Sequence, residues 1–196
     1  MSAAVRTPPR DGDVLCDAVV MDNDGEFATL SSHAQGGMLL VFVFRGSRCA
    51  FCLRRLADYR DRIQAFEKIG VKIVALSVDT PEVSTRMKEL VKLPFTLLCD
   101  PERTLISAWE LLNVRELRTA FPATLLLDAA LRVRFATLDD GYAAASVDDV
   151  LSHCKALMRG QKPRAQPRRV FRIPGLMWWI RGARDEWRLR TRSSRG

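Results

Sequence analysis

Two cysteines, Cys49 and Cys52, are the residues of this chain whose type and spacing are best suited to chemistry. They follow an apolar run at residues 38–44 and precede a segment with helical periodicity, so both fall at the predicted start of a helix. The unpaired backbone N–H groups at such a helix end favour an anion, and the thiolate is the reactive form of cysteine. Because residues three apart lie on one face of a helix, the two sulfurs can close and reopen a disulfide.

The surroundings of this pair favour a reactive site over a metal site or inert core thiols. Four arginines lie close to it in sequence and would stabilise a thiolate: Arg45, Arg48, Arg54 and Arg55. A zinc site needs further ligands, yet there is no second C-x-x-C pair, and the two histidines, His33 and His153, are far away. The arginine- and glycine-containing loop ahead of Cys49 is unlike a segment buried among apolar residues. We therefore expect catalytic cysteines, with no metal or other cofactor.

Strands and helices are predicted to alternate along the chain, and they place the cysteines between the first long strand and the first long helix. After a strand–turn unit at 18–30, strands are expected at 38–44, 71–78, 95–99, 123–127 and 132–138, and helices at 49–68, 81–92, 101–112 and 146–159. This alternation is typical of an α/β sandwich with a mixed central sheet flanked by helices. The last two strands, joined by a tight turn, should be antiparallel neighbours.

The size and charge of the chain fit one domain followed by a basic tail. A chain of 196 residues with 47% apolar content can bury one sizeable core. The net charge is +8, but residues 161–196 hold eleven Lys/Arg against two acidic residues, so this tail carries +9 and the remainder −1. A near-neutral domain argues against nucleic acid as a partner. We expect a flexible segment at 1–13, a domain at 14–160 and the tail at 161–196.

The N-terminal segment and the cysteine count predict a cytoplasmic protein. Residues 1–13 lack the apolar region of a secretory signal, and no apolar run approaches the ~20 residues that span a bilayer. The cysteines are odd in number: Cys16, Cys49, Cys52, Cys99 and Cys154. A structural disulfide framework usually needs an even set and an oxidising compartment. Free, buried or catalytic thiols are therefore expected.

Four stretches carry a resemblance to a known family: residues 42–52, 70–79, 95–100 and 121–128. They resemble the alkyl hydroperoxide reductase/thiol-specific antioxidant family, and more narrowly its peroxiredoxin-like members with an R-G-x-x-C-P-x-C loop. The resemblance extends over about residues 14–158. It implies a thioredoxin-like three-layer sandwich and an antioxidant enzyme that reduces hydroperoxides with an external thiol donor, thioredoxin-like or glutathione-like.

The same resemblance assigns residues around the cysteines. Pro122 lies directly before a predicted strand, where thioredoxin-type folds carry a cis-proline that faces the cysteine pair. An ordinary trans proline at a strand entry is the alternative. With Pro122, we expect Arg45, Arg48 and Phe51 to shape the site and bind substrate.

The chain departs from both parent motifs. Peroxiredoxins carry P-x-x-x-T-x-x-C, and their last cysteine attacks peroxide; here that position is Cys52, the threonine position is Cys49 and the proline position is Arg45. A further arginine is expected near the strand entry, where Ala123 stands. Thioredoxins carry W-C-G-P-C, and Arg48 replaces that tryptophan. The site is thus intermediate between the two classes.

Three functions stay open at this point. In the first, the Cys52 thiolate attacks a hydroperoxide and the resulting sulfenic acid is resolved by Cys49. In the second, Cys49 attacks a substrate disulfide as in a thiol–disulfide oxidoreductase, and Cys52 resolves the mixed disulfide. In the third, the chain is a redox-inactive binding module that kept the fold, and its thiols would have unperturbed pKa values.

The other cysteines and the tail are assigned less specifically. Cys99 and Cys154 are expected in the core, and Cys16 is either a remote resolving cysteine, an intersubunit partner or neither. In the tail, apolar residues recur at helical spacing among arginines: Leu176, Trp179, Ile180, Ala183 and Trp187. A basic amphipathic helix of this kind binds an anionic membrane surface, or packs back on the domain, or forms a homodimer contact.

Overall fold

A seven-stranded mixed sheet organises the protein, whose computed structural model describes residues 8–114, 118–139, 143–161 and 169–171. The strands are β1 Val19–Asp22, β2 Phe27–Thr29, β3 Met38–Val43, β4 Val71–Ser77, β5 Thr96–Cys99, β6 Leu112–Asn113, β7 Thr119–Ala120, β8 Ala123–Leu127, β9 Val133–Leu138, β10 Ala143–Ala145 and β11 Arg169–Phe171. The helices are α1 Leu30–Ala34, α2 Ala50–Arg60, α3 Ile63–Glu67, α4 Pro81–Val91, α5 Thr104–Ala108 and α6 Val147–Met158.

The order of the strands in this sheet is β2-β1-β5-β4-β3-β8-β9. Strand β3 is parallel to β4 and antiparallel to β8, and β4 is parallel to β5. The continuous apolar sequence of β3 fits this interior place, since a strand covered on both faces needs apolar side chains on both. The β8–β9 hairpin is antiparallel, as predicted, and β1 and β2 also pair antiparallel. Two short ladders, β6–β7 and β10–β11, lie outside the sheet.

Two apolar cores, one on each face of the sheet, create the three-layer sandwich. Because side chains alternate along a strand, Leu40 and Phe42 of β3 enter one core while Leu39 and Val41 enter the other. The first core is completed by α2, α3, α4 and α6, and the second by α1 and α5. The predicted α/β fold with a mixed central sheet and flanking helices is therefore confirmed.

The helix after the cysteines is shorter than predicted, because the expected helix 49–68 is divided into α2 and α3. The break falls at Arg62, whose φ of −114° and ψ of 3° are not helical, and whose Nε donates to Asp148 of α6 at 2.8 Å. Beyond the break, Phe66 is fully buried with its ring 6.0 Å from that of Tyr59. A short interruption leaves apolar spacing nearly unchanged, so the periodicity did not reveal it.

The helix expected at 101–112 is reduced to α5. The carboxylate of Asp100 accepts the backbone N–H groups of Thr104 at 2.9 Å and Ile106 at 2.8 Å, so the helix begins after that side chain. Glu110 then takes a φ of +58°, which a continuing right-handed helix does not allow. The chain can therefore turn into β6, which the sequence analysis did not predict.

The segment ahead of β1 is attached to the β8–β9 hairpin. Gly12 N–H donates to Val133 O at 2.8 Å, Val133 N–H donates to Asp13 O at 2.7 Å, and Leu15 N–H donates to Leu131 O at 3.0 Å. Gly12 and Asp13 thus make contacts with the domain ahead of the boundary expected at residue 14.

The described residues cover only a small part of the basic tail. The amphipathic helix predicted around Trp179 and Trp187 lies outside them, and only Gln161 and β11 of the tail are described. In the part of the chain with an assigned structure, no helix has both the length and the apolar character needed to cross a bilayer.

Candidate active site

The two cysteines lie where β3 leads into α2. A turn at residues 46–49, in which Cys49 N–H donates to Gly46 O at 3.1 Å, connects the strand to the helix. Cys49 is the N-cap residue of α2, with φ −92° and ψ 100°, and its Sγ accepts the backbone N–H of Cys52 at 3.3 Å. A sulfur thus takes the place of the side-chain oxygen that usually satisfies a free N–H group at a helix start.

The two sulfurs face each other across the first turn of α2. Cys52 Sγ is 2.7 Å from Cys49 Sγ, and both residues are free thiols. Cys49 is partly exposed, whereas Cys52 is 4% exposed and belongs to the core that contains Phe44 and Leu56. The predicted proximity of the pair is present, and the two thiols have unequal access to solvent.

The environment favours the thiolate of Cys49. The hydrogen bond from the Cys52 thiol lowers the pKa of Cys49 to about 7, assisted by the backbone N–H groups of Cys52 and Phe51 and by the charge of Arg45, against the opposing effect of burial. The largest cause is therefore the partner thiol, and the helix N-terminus acts with it through its N–H groups.

The environment of Cys52 has the opposite effect. Burial raises the pKa of the Cys52 thiol well above its ordinary value, and its hydrogen bond to the Cys49 sulfur and the charge there act in the same direction. The backbone N–H and the charge of Arg45 oppose this increase. Within the pair, Cys49 is thus the thiolate and Cys52 the protonated partner near neutral pH.

The four arginines near the pair have different surroundings, although the sequence analysis expected them all to favour the thiolate. Arg45 is the one whose charge lowers the pKa of both thiols. Arg48 is exposed; burial raises the pKa of the Asp79 carboxyl, and the charge of Arg48 is among the smaller effects that oppose this increase. Arg54 forms an ion pair with Asp58 at 3.3 Å, as residues four apart on a helix can do.

The fourth arginine, Arg55, is buried on the inner face of α2, which the sequence analysis did not predict. Its guanidinium carbon lies 5.2 Å from the centre of the Tyr59 ring, and its Nε and Nη2 have no hydrogen-bond partner among the described residues. The Tyr59 hydroxyl lies 3.4 Å from Thr124 Oγ1 on β8. A polar cluster therefore lies in the core beneath the cysteines. Only the i+3 spacing of Arg55 from Cys52 could have indicated this orientation.

The expected cis-proline is absent. None of the described peptide bonds is cis, so Pro122 is the trans proline of the alternative interpretation. The chain runs extended on both sides of it: Phe121 N–H donates to Leu111 O at 2.7 Å, and Asp139 N–H donates to Pro122 O at 2.8 Å. An extended connection does not need the tight turn in which cis bonds usually occur. Pro122 still precedes β8, whose Ala123 pairs with Val43 at the end of β3 that leads to the cysteines.

The other cysteines are separate from the pair. Cys99 and Cys154 are buried, as predicted; burial is the main cause that raises the pKa of Cys99 to about 11 and that of Cys154 to about 12. Cys16 is exposed. Among the described residues, no group of three or more His, Cys, Asp or Glu side chains is placed to hold a metal ion.

The sequence analysis did not identify Asp79, a residue that contacts the turn before Cys49. Asp79 follows β4, and its Oδ2 accepts the backbone N–H of Ser47 at 2.7 Å, inside the turn that ends at Cys49. Neither the cysteine spacing nor the apolar pattern identifies such a contact, since it joins residues 32 positions apart. The parallel pairing of β3 and β4 was the one available signal, because it places the ends of both strands at one edge.

Comparisons with known proteins agree with this arrangement. The model of the AhpC/TSA family matches residues 12–136. A putative peroxiredoxin of Mycobacterium tuberculosis is 28% identical over 109 residues, which are 56% of this chain and 68% of that protein. Peroxiredoxin Bcp of Escherichia coli is 32% identical over 95 residues, which are 48% of this chain and 60% of that protein.

Solved structures with the same fold are similar over most of the chain. Peroxidoxin BcpB of Mycobacterium tuberculosis superposes with a TM-score of 0.68 at 18% identity, covering 78% of this chain and 97% of that one. AhpC of Mycobacterium bovis superposes with a TM-score of 0.69 at 21% identity, covering 83% and 100%. At such low sequence identity the superpositions support the thioredoxin-like fold alone. The class of enzyme comes from the family match. The chain therefore belongs to the AhpC/TSA family of thiol-dependent oxidoreductases.

Proposed function

We propose that this protein is a thiol-dependent peroxidase in which Cys49 attacks the hydroperoxide and Cys52 resolves the product. The observation that carries the proposal is a pair of thiols 2.7 Å apart at the start of α2, one partly exposed with a lowered pKa and one buried with a raised pKa. The relatives named above are peroxiredoxins, which supports a hydroperoxide as the substrate.

The reaction follows from the two protonation states. The Cys49 thiolate attacks the outer oxygen of the hydroperoxide, the O–O bond breaks, and the leaving alkoxide takes a proton to become an alcohol or water. Cys49 is then a sulfenic acid, and the Cys52 sulfur attacks it to form a disulfide with the release of water. Two electrons from an external thiol donor, thioredoxin-like or glutathione-like, restore both thiols.

This assignment reverses the roles that the motif alignment gives to the two cysteines. The alignment places the peroxide-attacking cysteine of the family at Cys52, three positions after Cys49. The exposure and the lower pKa of Cys49 favour it as the nucleophile, because the thiolate is the attacking species and peroxide must reach it. Arg45, whose charge acts on both sulfurs, is proposed to bind and polarise the peroxide. Phe51, Arg48 and Pro122 are proposed to shape the entrance to the site.

The test is to trap the sulfenic acid with dimedone after one equivalent of hydrogen peroxide and to map the adduct by mass spectrometry. Cys52→Ser should carry the adduct at Cys49, because its resolving thiol is gone, and Cys49→Ser should carry none at Cys52. Cys16→Ser is the matched control, and it should consume peroxide at the wild-type rate with a thiol donor.

Each outcome has a definite meaning. An adduct at Cys52 in Cys49→Ser, with none at Cys49 in Cys52→Ser, would assign the attack to Cys52 as the motif alignment does. A wild-type protein that consumes no peroxide with any thiol donor but reduces insulin disulfides would replace the proposed peroxidase with a thiol–disulfide oxidoreductase. The lowered pKa of Cys49 argues against a redox-inactive module.

We also propose a place of action for the tail and for the enzyme. The Arg- and Trp-rich tail, residues 161–196, is proposed to bind an anionic membrane surface, since basic charge and interfacial aromatic side chains are combined there. A homodimer contact through the same residues is the alternative. The cytoplasm remains the predicted compartment.

A further inference from the structure

A carboxylate from the neighbouring strand holds the turn that precedes Cys49. Because β3 and β4 are parallel, the segments after them lie at one edge of the sheet, and Asp79 after β4 faces the 46–49 turn after β3. Asp79 Oδ2 accepts the Ser47 backbone N–H at 2.7 Å and the Ser77 hydroxyl at 3.2 Å. The Asp79 backbone N–H also donates to Ser77 Oγ at 3.2 Å, so Ser77 contacts both the backbone and the carboxylate of Asp79.

The backbone of Gly46 permits this close approach. A Cβ atom at position 46 would be 2.9 Å from Asp79 Oδ1, closer than real Cβ atoms come to another heavy atom, and 3.1 Å from Oδ2, closer than most. Gly46 also has a φ of +130°, which side-chain-bearing residues rarely adopt. Gly46 therefore leaves room for the Asp79 carboxylate, and the carboxylate leaves no room for a side chain at position 46.

The contact of Asp79 with Ser47 lies within the turn that leads to Cys49. Ser47 lies inside the turn closed by the hydrogen bond from Cys49 N–H to Gly46 O, and Cys49 is the residue at which α2 begins. A hydrogen bond to an ionised acceptor is about twice as strong as one between neutral groups. Asp79 thus fixes the turn on one side while the N–H of Cys52 fixes the Cys49 sulfur on the other.

We propose that Asp79 is a positioning residue for the peroxide reaction. Its carboxylate holds the 46–49 turn in the one conformation that keeps Cys49 Sγ at the N–H groups of α2 and beside the Cys52 thiol. Asp79 does not touch the reacting atoms, and it acts through Ser47 and the turn. The inference rests on the proposed function for its role in turnover, whereas its effect on the Cys49 thiol does not depend on the substrate.

The test replaces the carboxylate and measures the thiol directly. In Asp79→Ala the Ser47 N–H loses its acceptor, the turn loosens, and Cys49 loses part of its stabilised thiolate. We expect alkylation of Cys49 by iodoacetamide at pH 6 to slow about tenfold and peroxide consumption to slow by about ten- to a hundredfold. Asp79→Asn keeps an acceptor oxygen of the same size, so it should recover most of both rates.

Asp100→Ala is the matched control. Asp100 is likewise a carboxylate that directly follows a strand of the same sheet; it is buried and accepts two backbone N–H groups, from Thr104 and Ile106, but these belong to α5. Its removal should lower the melting temperature and leave the pH profile of Cys49 alkylation as in the wild type. A loss of thiol reactivity equal to that of Asp79→Ala would show that general destabilisation explains both.

A second variant removes the donor instead of the acceptor. Ser47→Pro deletes the Ser47 N–H that donates to Asp79, and its ring would take the place of that hydrogen and displace the carboxylate from the turn. It should reproduce the slow alkylation of Asp79→Ala, and the double variant should be no slower than either single one. Where Asp79→Ala does not fold, Ser47→Pro decides the question.

The results separate this inference from the proposed function. Folded Asp79→Ala with the wild-type alkylation profile and peroxide rate would overturn the positioning role. A wild-type protein that does not reduce peroxide, together with a changed alkylation profile in Asp79→Ala, would instead reject the peroxidase and retain the positioning role.

Discussion

At the scale of single residues, the reactivity of Cys49 depends first on another side chain. The hydrogen bond from the Cys52 thiol is the largest cause of its lowered pKa, ahead of the backbone N–H groups and of Arg45. A thiolate at a helix start is often attributed to the helix dipole alone, yet here the dipole and the partner thiol act on the same sulfur. Besides the resolving role proposed for it, Cys52 therefore has a second effect, since its thiol lowers the pKa of Cys49.

Removal of the Cys52 thiol should consequently change the acidity of Cys49. In Cys52→Ala we expect the pKa of Cys49 to rise from about 7 toward the ordinary value of ~8.5, because the main hydrogen-bond donor is lost. The thiolate is the form present above the pKa, so the variant should be alkylated more slowly at pH 7 and at a similar rate at pH 10. The measurement is the rate of iodoacetamide modification of Cys49 against pH.

The buried Cys99 provides the control for that experiment. Cys99 Sγ donates to Ser84 Oγ on α4 at 3.3 Å, so Cys99→Ala should keep the wild-type alkylation profile of Cys49. An unchanged profile in Cys52→Ala would contradict the idea that the partner thiol sets the acidity of Cys49.

At the scale of elements, the short turn between β3 and α2 is the part on which the site depends. It contains Gly46 with its positive φ, the Ser47 N–H held by Asp79, and the N-cap cysteine itself. The sheet fixes where this turn begins, and the burial of Leu56 and Tyr59 fixes the direction of α2. The site is thus a short segment held between two rigid elements.

Two glycine substitutions can separate the effect of backbone strain from the effect of the close contact between Gly46 and Asp79. Gly46→Ala and Gly25→Ala both place a side chain at positive φ; this costs about 1–2 kcal/mol of folding free energy near the left-handed helical region, and more at Gly46, whose φ of +130° lies outside that region. Only the Cβ of Ala at position 46 would collide with Asp79, because nothing lies within 4 Å of the one at position 25. We expect peroxide consumption to fall about ten- to a hundredfold in Gly46→Ala and to stay near the wild-type rate in Gly25→Ala.

Thermal unfolding of both variants, measured with the peroxidase rates, checks this prediction. A loss of activity in a folded Gly46→Ala, with Gly25→Ala near the wild-type rate, would support a local effect at the turn. Gly46→Ala with full activity would show that the carboxylate and the turn tolerate the extra atom.

At the scale of the whole molecule, charge is divided unequally between the domain and the tail. The tail from residue 161 carries +9, while the rest of the chain carries −1. Attraction to an anionic surface can therefore be removed without altering the domain. The division also means that the isoelectric point of the whole chain describes the tail and not the domain.

A truncation after β11 tests the tail in the context of the folded domain. Deleting residues 172–196 removes seven arginines and two acidic residues, a net charge of +5, and retains the β10–β11 ladder. The full chain should bind vesicles containing phosphatidylserine and lose that binding in high salt, and the truncated chain should bind at least a hundredfold more weakly. Vesicles of phosphatidylcholine alone are the control, and they should bind neither protein strongly.

The opposite result would favour the other role of the tail. Equal binding of both proteins to anionic vesicles would remove the membrane proposal. A full chain that is dimeric and a truncated chain that is monomeric, by analytical ultracentrifugation, would then assign the tail to a homodimer contact.

The amino-acid sequence by itself determined most of the long elements and the position of the cysteine pair at a helix start. Its apolar runs and periodicities placed β3, β4, β8, β9 and α6 nearly at their observed bounds, because burial of apolar side chains is repeated regularly along each element. The spacing of Cys49 and Cys52 identified a redox pair at a helix start, since both the N–H groups there and the i+3 relation are local properties of the chain.

Only the tertiary structure decided how the parts of the site differ from one another. The unequal pKa values of Cys49 and Cys52 arise from packing that covers one sulfur and leaves the other partly exposed. The trans peptide bond of Pro122, the burial of Arg55 and the contact of Asp79 with Ser47 likewise depend on neighbours that are distant in sequence. Local patterns carry no record of such contacts, because distant segments meet only when the sheet is assembled.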